Sequence, residues 1–166
     1  MARSERDRLA TIGVYGFSGP SFVAALEAAG VVLVLDVRQR RGVRGPQYAW
    51  ANSKRLQAAL NEAGIGYRHL RELAPTTELR QLQYREDARL GFGKRNREVL
   101  ADEYARRYEA EILDRVALEP IADSLPREGR SALMCVEADP AACHRSLLAA
   151  RLVGLVGGRV IDLLPG

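Results

Sequence analysis

Residues 31–37 read VVLVLDV, an apolar run bounded by Gly30 before it and by an arginine-rich stretch after it. Such a run is apolar on both faces, as required of a strand covered by helices on each side. Working outward, the same alternation recurs. A short strand is expected at 11–14, followed by a turn carrying Gly13, Gly16 and Gly19. A helix over 20–29 would start at Ser18 or Gly19 and stop at Gly30. Beyond the central run, RQRRGVRGPQYAW (38–50) is polar and broken by Gly42, Gly45 and Pro46, so it reads as a loop. Ser53 can cap a second helix, whose Leu56, Ala59, Leu60 and Ala63 share one face before Gly64 ends it. A strand at 67–70 follows.

From Glu72 to Asn96 no period is visible, and the stretch is expected to cover the surface or a pocket mouth. A long amphipathic helix is expected from about Asn96, interrupted near Pro120. Residues 131–136 read as another buried strand. Asp139 can then cap a helix that has Pro140 in its first position, where a missing N–H costs nothing. That helix continues through Leu147, Leu148 and Leu152 to Gly154 or Gly157, and a last apolar strand covers 159–164. Strands separated by helices predict a single α/β domain: a mostly parallel sheet with helices on both faces, a Rossmann-like three-layer arrangement with right-handed crossovers. Residues 1–10 are expected to be a flexible lead.

The 166 residues suit one core, and 47% hydrophobic with 28% charged residues is ordinary for a globular domain. No run approaches the length of uncharged apolar sequence that a membrane helix needs, and MARSERDRLA lacks the apolar stretch of a signal peptide. A cytoplasmic protein is the expectation. Two cysteines make no disulfide framework and are expected as thiols. The net charge of +4 falls short of a dedicated nucleic-acid binder.

In an open parallel sheet, ligands bind beyond the carboxyl ends of the strands. That rule selects Tyr15 and Ser18 after the first strand, Asp36 and Arg38 after the second, and Cys135 and Glu137 after the strand at 131. Residues 135–146, CVEADPAACHRS, add Cys143, His144 and Arg145. A cysteine near a helix N-terminus, beside arginine and histidine, has a stabilised thiolate and is a better nucleophile. Arg145 could hold an anion as a fork, His144 could move a proton, and Glu137 could act as a base or fix Arg145. Alternatively, Cys135 at the end of a buried strand is a small apolar filler. Cys135, Cys143, His144 and His69 are the soft donors, but C-x7-C-H matches no common zinc pattern, so neither metal nor cofactor is expected. Gly13, Gly16 and Gly19 do not spell a dinucleotide fingerprint. The residue six beyond Cys135 is Ala141, which removes the cysteine-phosphatase spacing. Tyr48 and Trp50 could stack on a base or anchor their loop.

Four segments together resemble the bacterial and archaeal family catalogued as domain of unknown function 488: TIGVYGFS (11–18), DVR (36–38), YRHL (67–70) and C-x-E-x-D-P-x-x-C-H-R (135–145). The chain departs from that family where QRRGVR (39–44) replaces a usual proline and where ELA (72–74) replaces a commoner glycine. The resemblance implies an α/β fold with the motifs gathered at one site, and it carries no established reaction.

The leading functional expectation is an enzyme acting on a phosphate- or carboxylate-bearing small molecule, perhaps a nucleotide. Arg38 and Arg145 would bind the anion, with Asp36, Tyr15 and Ser18 beside them. Cys143 or Cys135 would attack, and Glu137 or His144 would transfer protons. The alternatives are a nucleic-acid-binding or nucleic-acid-processing module using residues 38–44 with Arg95, Arg97, Arg106 and Arg107, and a non-catalytic metabolite binder. No membrane partner is expected. A homodimer is compatible with a small α/β protein, but no residue argues for one.

Overall fold

The computed structural model describes residues 7–93 and 97–166. Five parallel strands form one sheet: β1 (Leu9–Gly13), β2 (Val31–Asp36), β3 (Gly66–His69), β4 (Arg130–Cys135) and β5 (Val160–Leu163), in the order β3-β2-β4-β1-β5. The helices are α1 (Gly19–Ala28), α2 (Ser53–Glu62), α3 (Thr77–Leu90), α4 (Asp102–Tyr108), α5 (Glu119–Ser124) and α6 (His144–Val156). β1 and β4 are buried almost throughout because they are central and helices cover both faces, so apolar runs are stable there. Leu9 and Ala10, placed by sequence in the flexible lead, belong to β1.

Chain direction reverses in the middle of the sheet. From β1 the chain runs outward through β2 to β3, then returns to insert β4 between β2 and β1 before reaching β5 on the other edge. With right-handed crossovers, that reversal assigns α1 and α2 to one face and α3–α6 to the other. The contacts agree: α1 packs on β2 and α2 on β3, whereas α6 packs across β1, β4 and β5. Connections leave β2 and β4 in opposite directions, so a crevice opens at their carboxyl ends.

Ser18 caps α1 in a capping box with Ser21. Ser53, expected to cap α2, is instead its first residue, and Asn52 occupies the cap position without a side-chain cap bond; its Oδ1 accepts from the Val43 N–H at 2.8 Å. Two expectations are corrected. The stretch without a period contains the 14-residue α3, capped by Thr76; its amphipathic signal is masked because Gln83 and Asp87 occupy buried positions where apolar residues would mark the face. The long helix from about Asn96 is instead a loop, the short α4, one π-helical turn (Glu109–Leu113) and α5. Pro120 sits in the first turn of α5 and so starts a helix rather than interrupting one. Asn96 itself lies outside the described residues. Among the described residues, no helix is long and apolar enough to cross a membrane.

Candidate active site

β4 ends at Cys135 directly beside the end of β2, and the Val37 N–H donates to the Met134 carbonyl at 3.0 Å. The chain then crosses over β1, where the Val14 and Tyr15 N–H groups both donate to the Val136 carbonyl. As expected, Asp139 caps the next turn and Pro140 opens it, but that turn is a 3-10 helix ending at Ala142. α6 starts four residues after Pro140, with Cys143 in its N-cap position. This offset sets Cys143, and not Asp139, at the positive end of the long helix.

His144 ties the two motif halves together. Its Nε2 lies 2.9 Å from the Val37 carbonyl, an acceptor, so Nε2 carries the proton and Nδ1 turns to the thiols. Nδ1 is 3.9 Å from Cys135 Sγ and 3.7 Å from Cys143 Sγ, and the three atoms all lie within 4.8 Å of one another. Among the described residues this is the one set of donors that could close on a soft metal ion, a convergence that the C-x7-C-H spacing did not reveal.

The two thiols are pushed in opposite directions. Burial pushes Cys143 up, but its hydrogen bond with Cys135 and the charges of His144 and Arg145 outweigh it and hold the thiol well below the usual range. Cys135 rises because it shares that hydrogen bond, with burial and the negative charges of Cys143 and Glu137 adding to the effect. For His144, burial opposes the charged form, but the charge and hydrogen bond of Cys143 raise it overall. The pair therefore holds one negative charge facing an imidazolium. Ultraviolet thiolate absorbance should accordingly show one equivalent ionising well below the ordinary thiol value of 9.0 and the second only above it. A single two-equivalent transition near that value would contradict this arrangement.

Arg145 is fully buried, and its Nη1 and Nη2 donate to the carbonyls of Glu137 (2.5 Å) and Ala138 (3.2 Å). It shapes the loop after β4 and lends charge to the thiols from behind. Arg38 is 2% exposed; its guanidinium grips Asp36 through two nitrogens at 2.9 and 2.8 Å and donates to the Ala51 carbonyl. Tyr67 donates to the same carboxylate at 2.6 Å, and His69 Nε2 lies 2.8 Å from the Arg38 carbonyl. Asp36 and Arg38 thus brace the loop after β2.

Above the thiols lies a cleft of about 450 Å³, its open mouth included. Cys135, Glu137 and His144 form part of its lining, while the loop after β2 contributes Arg40, α3 contributes Arg80 and Gln83, α4 contributes Tyr104, and the segment between α3 and α4 contributes Arg97. The expectation that the middle of the chain covers a pocket mouth agrees with this placement. Arg97 is buried between Asp87 and Glu137, with the latter 3.0 Å from its Nη1. Arg80 donates only to neutral oxygens, Gln39 Oε1 and the Tyr84 hydroxyl, and neither Arg80 nor Arg40 has a carboxylate partner among the described residues. Burial, reinforced by the charges of Cys143 and Glu137, pushes the Tyr104 phenol well up, so it stays a hydrogen-bond donor.

The structure therefore gathers Cys135, Glu137, Cys143 and His144, with Arg38 at the rim and Arg145 behind. Tyr15 and Ser18 lie apart: the Tyr15 ring packs 5.2 Å from that of Tyr48, and Ser18 is occupied as a helix cap. Trp50 anchors its loop, with its ring 4.9 Å from that of Phe22. Of the arginines expected on a long helix face, Arg97 is buried, Arg107 is paired with Glu78 and Glu111, Arg106 is exposed, and Arg95 lies outside the described residues. Arg40 belongs to the basic stretch 38–44 that the sequence marks out, whereas sequence reasoning missed Arg80, Gln83 and Tyr104. Only recognition of α3 and α4 as helices over the strand ends would have found these three.

A family model, Domain of unknown function DUF488, matches residues 20–152. Searches of curated proteins and of solved structures gave no match. The matched span runs from α1 to the last turns of α6 and takes in both cysteines, His144 and Arg145; the chain belongs to the DUF488 family.

Proposed function

We propose that the protein is an enzyme that binds an anionic small molecule in the cleft over β2 and β4 and attacks it with sulfur. The observation that carries this reading is His144: its Nε2–H is fixed by Val37, so its other nitrogen faces both thiols. A histidine whose tautomer is set in this way can take the proton of a neighbouring thiol and return it to a leaving group. Arg80 and Arg40, which have no carboxylate partners among the described residues, would receive the carboxylate or phosphate of the substrate, and Tyr104 would donate a hydrogen bond beside it. Arg38 and Arg145, the anion binders expected from sequence, are spent on Asp36 and on backbone carbonyls, so they position the two loops. Glu137 orients Arg97.

Isothermal titration with inorganic phosphate and with short dicarboxylates tests the anion site. Arg80→Met removes a charge-assisted contact, which typically contributes about 1.5–3 kcal/mol, so binding should weaken at least tenfold. If neither probe binds the wild-type protein, or if Arg80→Met binds as tightly, the anionic substrate is ruled out.

A further inference from the structure

We propose that Cys135 and Cys143 act together as a dithiol that reduces a small acidic disulfide by two electrons and ends as a Cys135–Cys143 disulfide. This names the substrate class for the anion-binding cleft and rests on that reading. The chain has two cysteines, and both are buried at this one place. A single-nucleophile mechanism leaves the second thiol unexplained. Their placement is also unequal: Cys135 lines the cleft, whereas Cys143 is 1% exposed behind it and against the same imidazole nitrogen. One sulfur can meet a substrate, and the other can meet only its neighbour.

A disulfide requires the sulfurs to close to about 2.05 Å. They start within 4.8 Å, so the movement is a few ångströms at most. Cys143 has extended backbone angles (φ −136°, ψ 145°) at the junction between the 3-10 turn and α6, so it can shift without opening the helical ladder.

In the first step, Cys135 passes its proton along their shared hydrogen bond to the Cys143 thiolate and attacks one sulfur of the substrate R–S–S–R, while the His144 imidazolium protonates the departing sulfur and so frees Nδ1 to take the proton back from Cys143. The substrate S–S bond breaks, a Cys135–S–S–R bond forms, and one R–SH leaves. Cys143 then attacks Cys135 Sγ, which breaks the bond to the substrate sulfur, releases the second R–S⁻ and forms the internal disulfide. The two protons of the dithiol, held among Cys135, Cys143 and His144, leave on the two thiols. The substrate is reduced and the cysteine pair is oxidised, and a low-molecular-weight thiol reverses the change for the next turnover.

The test uses the full chain and oxidised glutathione, whose carboxylates suit the cleft, with cystamine as a cationic disulfide. Intact mass and peptide mapping should show wild-type protein losing two hydrogens, with the bond mapped to Cys135–Cys143. Cys143→Ser should accumulate one glutathione on Cys135, and Cys135→Ser should react at least tenfold more slowly. Arg80→Met should slow the glutathione reaction tenfold or more and leave cystamine unchanged. Wild-type protein that forms stable adducts without an internal bond overturns the dithiol, as does a stoichiometric metal that must be chelated before either thiol reacts. An internal bond formed equally fast with both disulfides keeps the dithiol and removes the anionic substrate, and retained phosphate or dicarboxylate binding without an internal bond does the reverse. The wild-type arm decides the dithiol even if a variant fails to fold.

Discussion

Replacing Arg38 by Met is expected to lower the unfolding free energy by about 3–5 kcal/mol, the usual cost of removing one partner from a buried ion pair. The Asp36 carboxylate is fully buried, and without the guanidinium its hydrogen bonds among the described residues are those from the Tyr67 hydroxyl and the Arg38 backbone N–H, with the more distant charge of Arg41 beyond them. Methionine fills much of the volume of the arginine stem, so the loss would reflect the stranded charge more than a cavity. Domains commonly have only about 5–15 kcal/mol in total, so this variant should melt far earlier than the wild type. Urea unfolding of Arg38→Met and of the double variant with Asp36→Asn separates the causes. The double variant should recover part of the loss because no charge is left behind. A single-variant effect below about 1 kcal/mol would place the pair in the class of weak surface bridges.

Gly13→Ala is expected to damage both stability and site. A methyl on Gly13 would overlap the Glu137 carbonyl oxygen, sit 2.7 Å from its carbon and lie 3.1 Å from Arg145 Nη1. Backbone on both sides has no room to yield, because Gly13 is paired with Cys135 in the sheet. Overpacking usually costs about 1–3 kcal/mol, and here it falls on the carbonyl that Arg145 holds. Displacing that carbonyl moves Arg145 relative to the thiols, so the low-pH thiolate signal should shift toward the ordinary thiol range. Calorimetry and ultraviolet titration of the same sample would show both effects. A variant with wild-type melting and an unchanged thiolate signal would mean that the loop after β4 adapts freely.

Sheet and site were legible in the sequence to different depths. The buried strands announced themselves because VVLVLDV and the run at 131–136 must be apolar on both faces, and the strand-end rule then placed Cys135, Glu137 and Asp36 near one crevice. The helices over the crevice were not legible, because α3 turns Gln83 and Asp87 inward to meet Ala101 and Arg97. Polar residues that serve a buried network erase the apolar stripe by which a helix is recognised. The same effect concealed the roles of the arginines. A sequence shows that Arg38 and Arg145 lie near strand ends, but not that Arg38 is gripped by Asp36 or that both terminal nitrogens of Arg145 are held by backbone carbonyls, whereas Arg80, in a stretch without a pattern, has only neutral partners among the described residues.

The position of β4 at the middle of the sheet has a consequence for how the protein is made. Its neighbours β1 and β2 leave the ribosome first, since synthesis runs from the N-terminus, and Ser131 is the register partner of both Leu9 and Leu33. Until residues 130–135 emerge, β1 and β2 lack the strand between them, and the nascent chain carries two apolar strand edges with open hydrogen-bonding groups. Only once residues 130–135 have been translated can the sheet close, and the same stretch delivers Cys135 and, shortly after, Cys143. Ribosome-stalled chains ending before residue 130 should therefore stay protease-sensitive and bind holdase chaperones, with neither cysteine yet made.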